Sequence, residues 1–137
     1  MNNIDTLPLQ RFTIVEVNDR DVPLCLRLAT SLAGKIAADL GATVLKIEPP
    51  GGDPVRRAPP HLPQGESALF QFLNTSKQSL VLDLATAPGR DALARLLDKA
   101  DAALFEEPAS AAPLVRAGKA TPIEIAAFPV EMNAATR

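Results

Sequence analysis

Residues 12–48 read FTIVEVNDRDVPLCLRLATSLAGKIAADLGATVLKIE, and this stretch decides the fold. Phe12–Val17 is a β-branched run of strand length. Asp21 stands as an N-cap with Pro23 just inside, so a helix is predicted from about Val22 to Leu40. Along it Leu24, Leu28, Leu32, Ile36 and Leu40 step by four, and Arg27, Ser31, Lys35 and Asp39 form the adjacent polar row. Gly41 is the natural stop, because a helix commonly ends in a left-handed residue that glycine adopts without strain. Ala42–Glu48 is a second strand, buried in its middle. A helix between two strands is a crossover, so the strands should be parallel.

Beyond Glu48 the chain enters PPGGDPVRRAPPHLP, which holds six of the thirteen prolines. Neither helix nor central strand survives that density, so residues 49–65 are expected as a long surface loop. Strand–helix alternation then resumes. Glu66–Leu73 reads as a short helix and Ser79–Leu84 as a third strand. Thr86 caps a helix with Pro88 in its first turn and an apolar stripe of Leu93, Leu96, Leu97 and Ala100. Asp101–Phe105 is a fourth strand, Ala109–Arg116 holds a helical turn, and Ile123–Phe128 is a fifth strand. The expectation is a single Rossmann-like α/β domain over 1–137, a doubly wound parallel sheet of about five strands, with a tail at 129–137.

The chain has 137 residues, enough to bury a core in one domain. Its 14 Lys and Arg face 16 Asp and Glu, for a net charge of −2, and it has no Trp or Tyr. No basic field or stacking surface is available, so a general nucleic-acid binder is excluded. The lone Cys25 rules out an internal disulfide, and the lone His61 cannot build a metal site by itself. No run has membrane-spanning length and no signal-peptide core opens the chain, so a soluble cytoplasmic domain without membrane contact is expected.

In a parallel α/β sheet, ligands sit beyond the carboxyl ends of the strands. The first such turn, Val17 to Val22, contains no glycine, so the dinucleotide fingerprint is missing. Without it, Glu48 reads as a solvated strand-end carboxylate in preference to a ribose ligand. His61 reads as a solvated loop residue. Cys25, inside the apolar helix, reads as a buried and inert thiol. Arg56 and Arg57 beside Gly51-Gly52 suit a phosphate, although a solvated loop is the stronger reading. These residues define a fold and no reaction.

Three segments resemble the class III CoA-transferases, the group of formyl-CoA transferase, carnitine CoA-transferase and α-methylacyl-CoA racemase. They are Ala38-Asp39-Leu40-Gly41-Ala42 running into Val44 to Pro54; Gly65 to Ala68 with Leu73 to Ser79; and Leu82-Asp83-Leu84 through Arg90 to Asp101. Their order and spacing agree with the family from about Leu28 to Phe105.

The resemblance implies an enzyme that moves coenzyme A from an acyl-CoA to a carboxylic acid through an aspartate nucleophile. Racemase relatives instead use an acid–base pair. It implies coenzyme A or acyl-CoA as ligand, with no covalent cofactor. Ala29, Leu82, Asp83 and Leu84 occupy positions where the family contacts that ligand. It also implies a homodimer, or a partner chain that carries the rest of the enzyme.

Several positions depart from the pattern. The family's catalytic aspartate lies beyond the fifth strand, so no catalytic residue is assigned here and the chain alone is expected to be inactive. Leu28-Ala29-Thr30-Ser31 replaces the family's L-A-G-P turn, and extra residues within Asn18–Arg27 should start the helix earlier. Phe105-Glu106-Glu107-Pro108-Ala109-Ser110 replaces E-N-F-R-P-G, so two carboxylates should face, and repel, an anionic ligand. These changes open a second reading, a noncatalytic binding or assembly module that kept the fold. In either case the Pro23–Leu40 helix and the Ala109–Ala127 region should leave uncovered apolar surface that favours self-association.

Overall fold

The computed structural model describes residues 7–18, 22–107 and 111–126. Strands β1 (Thr13–Val17), β2 (Thr43–Glu48), β3 (Gln78–Val81), β4 (Ala102–Glu107) and β5 (Thr121–Ala126) form one sheet, ordered β3-β2-β1-β4-β5. Every neighbouring pair is parallel. Helices α1 (Leu24–Asp39), α2 (Ala68–Asn74), α3 (Ala87–Leu97) and α4 (Ala112–Ala117) alternate with the strands. The class is α/β, as the alternation predicts.

Side chains alternate across a strand, so each strand serves two cores. Val15, Val17, Ile47, Ala103 and Phe105 point to one face and pack with Leu93 and Leu97 of α3 and Val115 of α4. Ile14, Val44 and Leu104 point to the other, where Ala37 and Ala38 of α1 lie against them. This second face changes character along its length. Its apolar end gives way to Glu16, Lys46, Glu48 and Glu106 at the carboxyl end of the strands, and each is at most 1% exposed.

Helix α1 follows that change. Its inward residues are Ala37 and Ala38 over the apolar half, and Arg27, Thr30, Ser31 and Gly34 over the charged half. The first half of the polar row, Arg27 and Ser31, therefore turns inward, while Asp39 at its end is exposed. Leu24, Leu32, Ile36 and Leu40 are exposed instead, reversing the usual amphipathic arrangement. Cys25 rides on the outer side and is exposed, not buried as expected.

The turn at Ala38-Asp39-Leu40-Gly41-Ala42 has a clear mechanical role. Gly41 takes φ +99°, and the N–H groups of Gly41 and Ala42 donate to Ala38 and Ala37 at 2.9 and 3.0 Å, closing the helix with a Schellman turn. Thr86 caps α3, its Oγ1 accepting from Gly89 N. A Cβ on Gly89 would collide with the Asp83 carbonyl, which fixes glycine there.

Some boundaries differ from the sequence reading. Pro23 is the cap residue of α1, while Asp21 lies outside the described residues. Strand β3 ends at Val81, because Leu82 N still reaches Glu48 O but the Asp83 carbonyl then accepts from Thr86 and turns the chain. Strand β5 begins at Thr121 and carries Pro122, tolerated at a sheet edge where a backbone donor is not needed. The expected continuation to Phe128 lies outside the described residues, as does the 129–137 tail.

Candidate functional site

Strand order reverses between β1 and β4, the place where open α/β sheets put ligands. Asn18 follows β1 and Glu106 lies near the end of β4. Their side chains meet there, Asn18 Nδ2 donating to Glu106 Oε1 at 2.9 Å. Glu106 is fully buried, so this carboxylate is turned into the protein and does not face a ligand as the sequence suggested. The reason is register: Glu106 is two residues beyond Leu104 and shares its α1-side face.

Behind that pair lies a continuous charged network. Asn18 Oδ1 accepts from Lys46 Nζ. Lys46 Nζ also lies 2.8 Å from Glu16 Oε1, 2.9 Å from Asp53 Oδ2 and 3.2 Å from Ser31 Oγ. Parallel pairing sets Glu16 directly beside Lys46, so the register of β1 and β2 builds the first link. Lys77 enters from the connector before β3, its Nζ 2.6 Å from Glu16 Oε2 and 2.7 Å from the Ser31 carbonyl. Burial pushes the Lys77 ammonium below its ordinary pKa, against the pull of Glu16. Arg27 of α1 reaches within 3.9 Å of Asp53. Gly34 makes this approach possible, since a Cβ there would collide with Glu16 Oε2.

The loop residues Pro49 to Arg57 close the network from above. Gly51 and Gly52 have φ of +91° and +79°, which brings Asp53 N to within 2.8 Å of Glu48 Oε2. Asp53 Oδ1 caps the following 3₁₀ turn at Val55 N. Arg56 then folds back on Glu48 with a two-pronged grip, Nη2 to Oε1 at 2.7 Å and Nε to Oε2 at 2.8 Å. Burial alone would raise the Glu48 pKa. Hydrogen bonds from Arg56, Ser79 and the Asp53 backbone outweigh it and hold the carboxyl at about 2. Glu48 is thus a buried, ion-paired group, correcting its reading as a solvated carboxylate.

Arg56 joins this network to an open cavity of about 510 Å³ lined by Arg56, Gly65, Glu66, Ser67, Phe70, Gln71, Asn74 and Thr75. Its guanidinium stacks 4.0 Å from the centroid of the Phe70 ring. Within the described network, four carboxylates (Glu16, Glu48, Asp53, Glu106) meet four cations (Arg27, Lys46, Arg56, Lys77). Three of these cations are buried and the fourth, Arg56, has 43% of its side chain exposed where it lines the cavity, and each is paired with a carboxylate.

The residues singled out for ligand contact fall in two places. Leu82 and Leu84 are half-buried against the α3-side core, and exposed Asp83 between them accepts from Ala85 N at 3.1 Å. Ala29 is exposed on α1. None of the four lines the cavity. Arg57 is exposed and reaches the Gly51 carbonyl at 3.3 Å, and His61 is exposed beside Ser67. No helix among the described residues is long and apolar enough to cross a membrane.

The motif residues thus build turns and buried ion pairs at one end of a parallel sheet. Comparison with known proteins matches residues 21–112 to the family model described as CoA-transferase family III. The chain belongs to CoA-transferase family III. It is 42% identical over 84 residues to the succinyl-CoA:mesaconate CoA-transferase of Haloarcula hispanica, a match covering 56% of this chain and 21% of that protein. The crystal structure of the hypothetical protein Rv3272 from Mycobacterium tuberculosis superimposes with a TM-score of 0.71 at 27% identity, covering 89% of this chain and 34% of the other. A CAIB/BAIF family protein from Brucella suis gives 0.63 at 30% identity, over 74% and 26% of the two chains. The match to the Haloarcula hispanica enzyme thus spans about a fifth of that protein's length.

The family III match contains α1, the proline-rich loop and α3, the elements whose turns and contacts are accounted for above. Sequence reasoning missed the roles of Glu16, Lys46 and Lys77. A signal was present: Glu16 and Lys46 interrupt otherwise apolar strands, and a parallel sheet covered on both faces leaves such charges no route to solvent.

Proposed function

We propose that this chain is the nucleotide-fold part of a family III CoA-transferase whose complete enzyme moves CoA from an acyl-CoA to a carboxylic acid. The observation that carries the reading is the family match over residues 21–112 on a sheet of the same architecture. CoA or acyl-CoA is the ligand of this reading, contacted by Ala29, Leu82, Asp83 and Leu84. The nucleophilic carboxylate is supplied from outside residues 1–137, by the remainder of the enzyme or by a partner. The chain acts with such a partner, in the cytoplasm. Assay of the purified chain with an acyl-CoA and a dicarboxylate tests this: no transfer and no trapped acyl adduct are expected, and either one overturns the reading.

One observation favours a second reading, an assembly module that has lost CoA chemistry. The strand-order switch is occupied by the Asn18–Glu106 pair, and the adjoining charge is internally balanced. Each cation of that network already holds a carboxylate, so an anionic ligand would compete with an internal ion pair.

A further inference from the structure

The open cavity between the proline-rich loop and α2 has a volume of about 510 Å³, and the CoA reading makes no use of it. That volume falls within the range of about 300–1,000 Å³ usual for small-molecule sites. None of Ala29, Leu82, Asp83 and Leu84 lines it, so it is separate from the proposed CoA contacts.

Arg56 forms its donor end. A guanidinium carries five N–H donors in a planar fork. Glu48 takes the Nε and Nη2 edge at 2.8 and 2.7 Å, and the Phe70 ring centroid lies 4.0 Å from the Arg56 Cζ on one face. The Nη1 donors and the second Nη2 donor have no partner among the described residues, on a side chain 43% exposed. Ser67 adds a hydroxyl beside them. Its Oγ accepts from Phe70 N at 3.1 Å, which leaves the O–H to donate.

Glu66 forms the acceptor end. Its Oε2 accepts from Gln71 Nε2, and its Oε1 has no partner among the described residues. Thr75 Oγ1 donates to the Gln71 carbonyl at 2.7 Å and keeps its own lone pairs for a ligand. Glu48 cancels the charge of Arg56, so Glu66 leaves the cavity with a negative excess.

We propose that this cavity binds a short free amino acid, with its carboxylate on the open edge of Arg56 and its ammonium on Glu66. The site is set by its own lining and owes nothing to CoA. A guanidinium fork takes a carboxylate on two parallel N–H groups, and here it does so with Glu48 still in place. A dicarboxylate matches Arg56 but is repelled by Glu48 and Glu66 together, and a bare amine matches Glu66 but faces Arg56. A zwitterion satisfies both ends and adds no net charge.

Titration of the isotope-labelled chain at pH 7, followed by amide and Arg56 Nε–H resonances, tests the proposal. Glycine and γ-aminobutyrate are the probes, since they span two charge separations; butyrate, butylamine and succinate are the controls. At least one amino acid should give saturable millimolar shifts at Arg56 and at Glu66 to Thr75. Each control should bind roughly tenfold more weakly or worse, having lost one charge-assisted contact. Glu66→Gln, at an exposed position, should bring the amino acid down to the level of butyrate. Arg56→Lys keeps a cation for Glu48 but lacks the open fork, and should lose the carboxylate contact while the spectrum stays that of a folded chain. Absence of shifts at these residues with both amino acids overturns the proposal. So does equal binding of butyrate, tighter binding of succinate, or an amino-acid response unchanged in Glu66→Gln. CoA added to the same samples is followed at Leu82 to Leu84, so failure of the CoA reading and failure of this site are distinguishable.

Discussion

Lys46 Nζ lies 2.8 Å from Glu16 Oε1, and both side chains are almost wholly buried. The pair joins neighbouring strands at the carboxyl end of the sheet and is itself bound by Asp53, Asn18 and Ser31. A charge placed so deeply persists only while its partners remain.

Lys46→Met therefore should leave the buried network one cation short, with Glu16 held by Lys77 and Asp53 by Arg27 alone. Removing one member of a buried pair costs about 3–5 kcal/mol, because the remaining charge cannot return to water. Guanidinium titration of parent and variant measures the difference. A loss below about 1 kcal/mol, the range of a surface pair, would contradict the network's role.

Glu48 makes a prediction about acid. Its carboxyl falls from an ordinary 4.5 to about 2 in the fold. A depressed acid stabilises the native state fully above the unfolded value, and the contribution is lost as pH falls from 4.5 towards 2. The shift corresponds to about 2 kcal/mol, after discounting for screening at the half-exposed Arg56. Thermal melts across that window should show the parent losing stability more steeply than Glu48→Gln. Parallel slopes would show that Glu48 is not held in this state.

Gly34→Ala tests the close approach of α1. Helix propensity alone would favour alanine by about 1 kcal/mol. Here the added methyl collides with Glu16 Oε2, so a net loss of about 1–3 kcal/mol is expected from overpacking. Stabilisation of the variant in a melt would mean that Glu16 is placed elsewhere.

Leu97→Ala probes the other core. Leu97 is fully buried against Leu93, Phe105 and Val115, and truncation should cost about 2–5 kcal/mol. Chemical denaturation would read that as a lower midpoint with little change in slope.

The fold was legible because its signals are local. Gly41, Thr86 and Pro88 mark helix ends by their own backbone chemistry, and the run 12–48 announces a crossover. The burial of α1 was not legible from its periodicity alone. Its leucine row faces outward because Arg27 and Ser31 are claimed by Asp53 and Glu16, residues far away in sequence. The same long-range pairing hid Glu48, whose partners Arg56 and Ser79 come from a loop and another strand. A strand-end carboxylate in isolation looks solvated; only the glycine turn at 51–52 brings its cation back.

The central claim, that this chain is the nucleotide-fold part of a CoA-transferase, meets its most direct test in titration calorimetry of the purified chain with CoA. The account predicts a saturable isotherm approaching one CoA per chain, weakened by Leu82→Asp and Leu84→Asp in the turn that follows β3. A flat titration with millimolar CoA, from a chain shown to be folded, would contradict it and favour the assembly module.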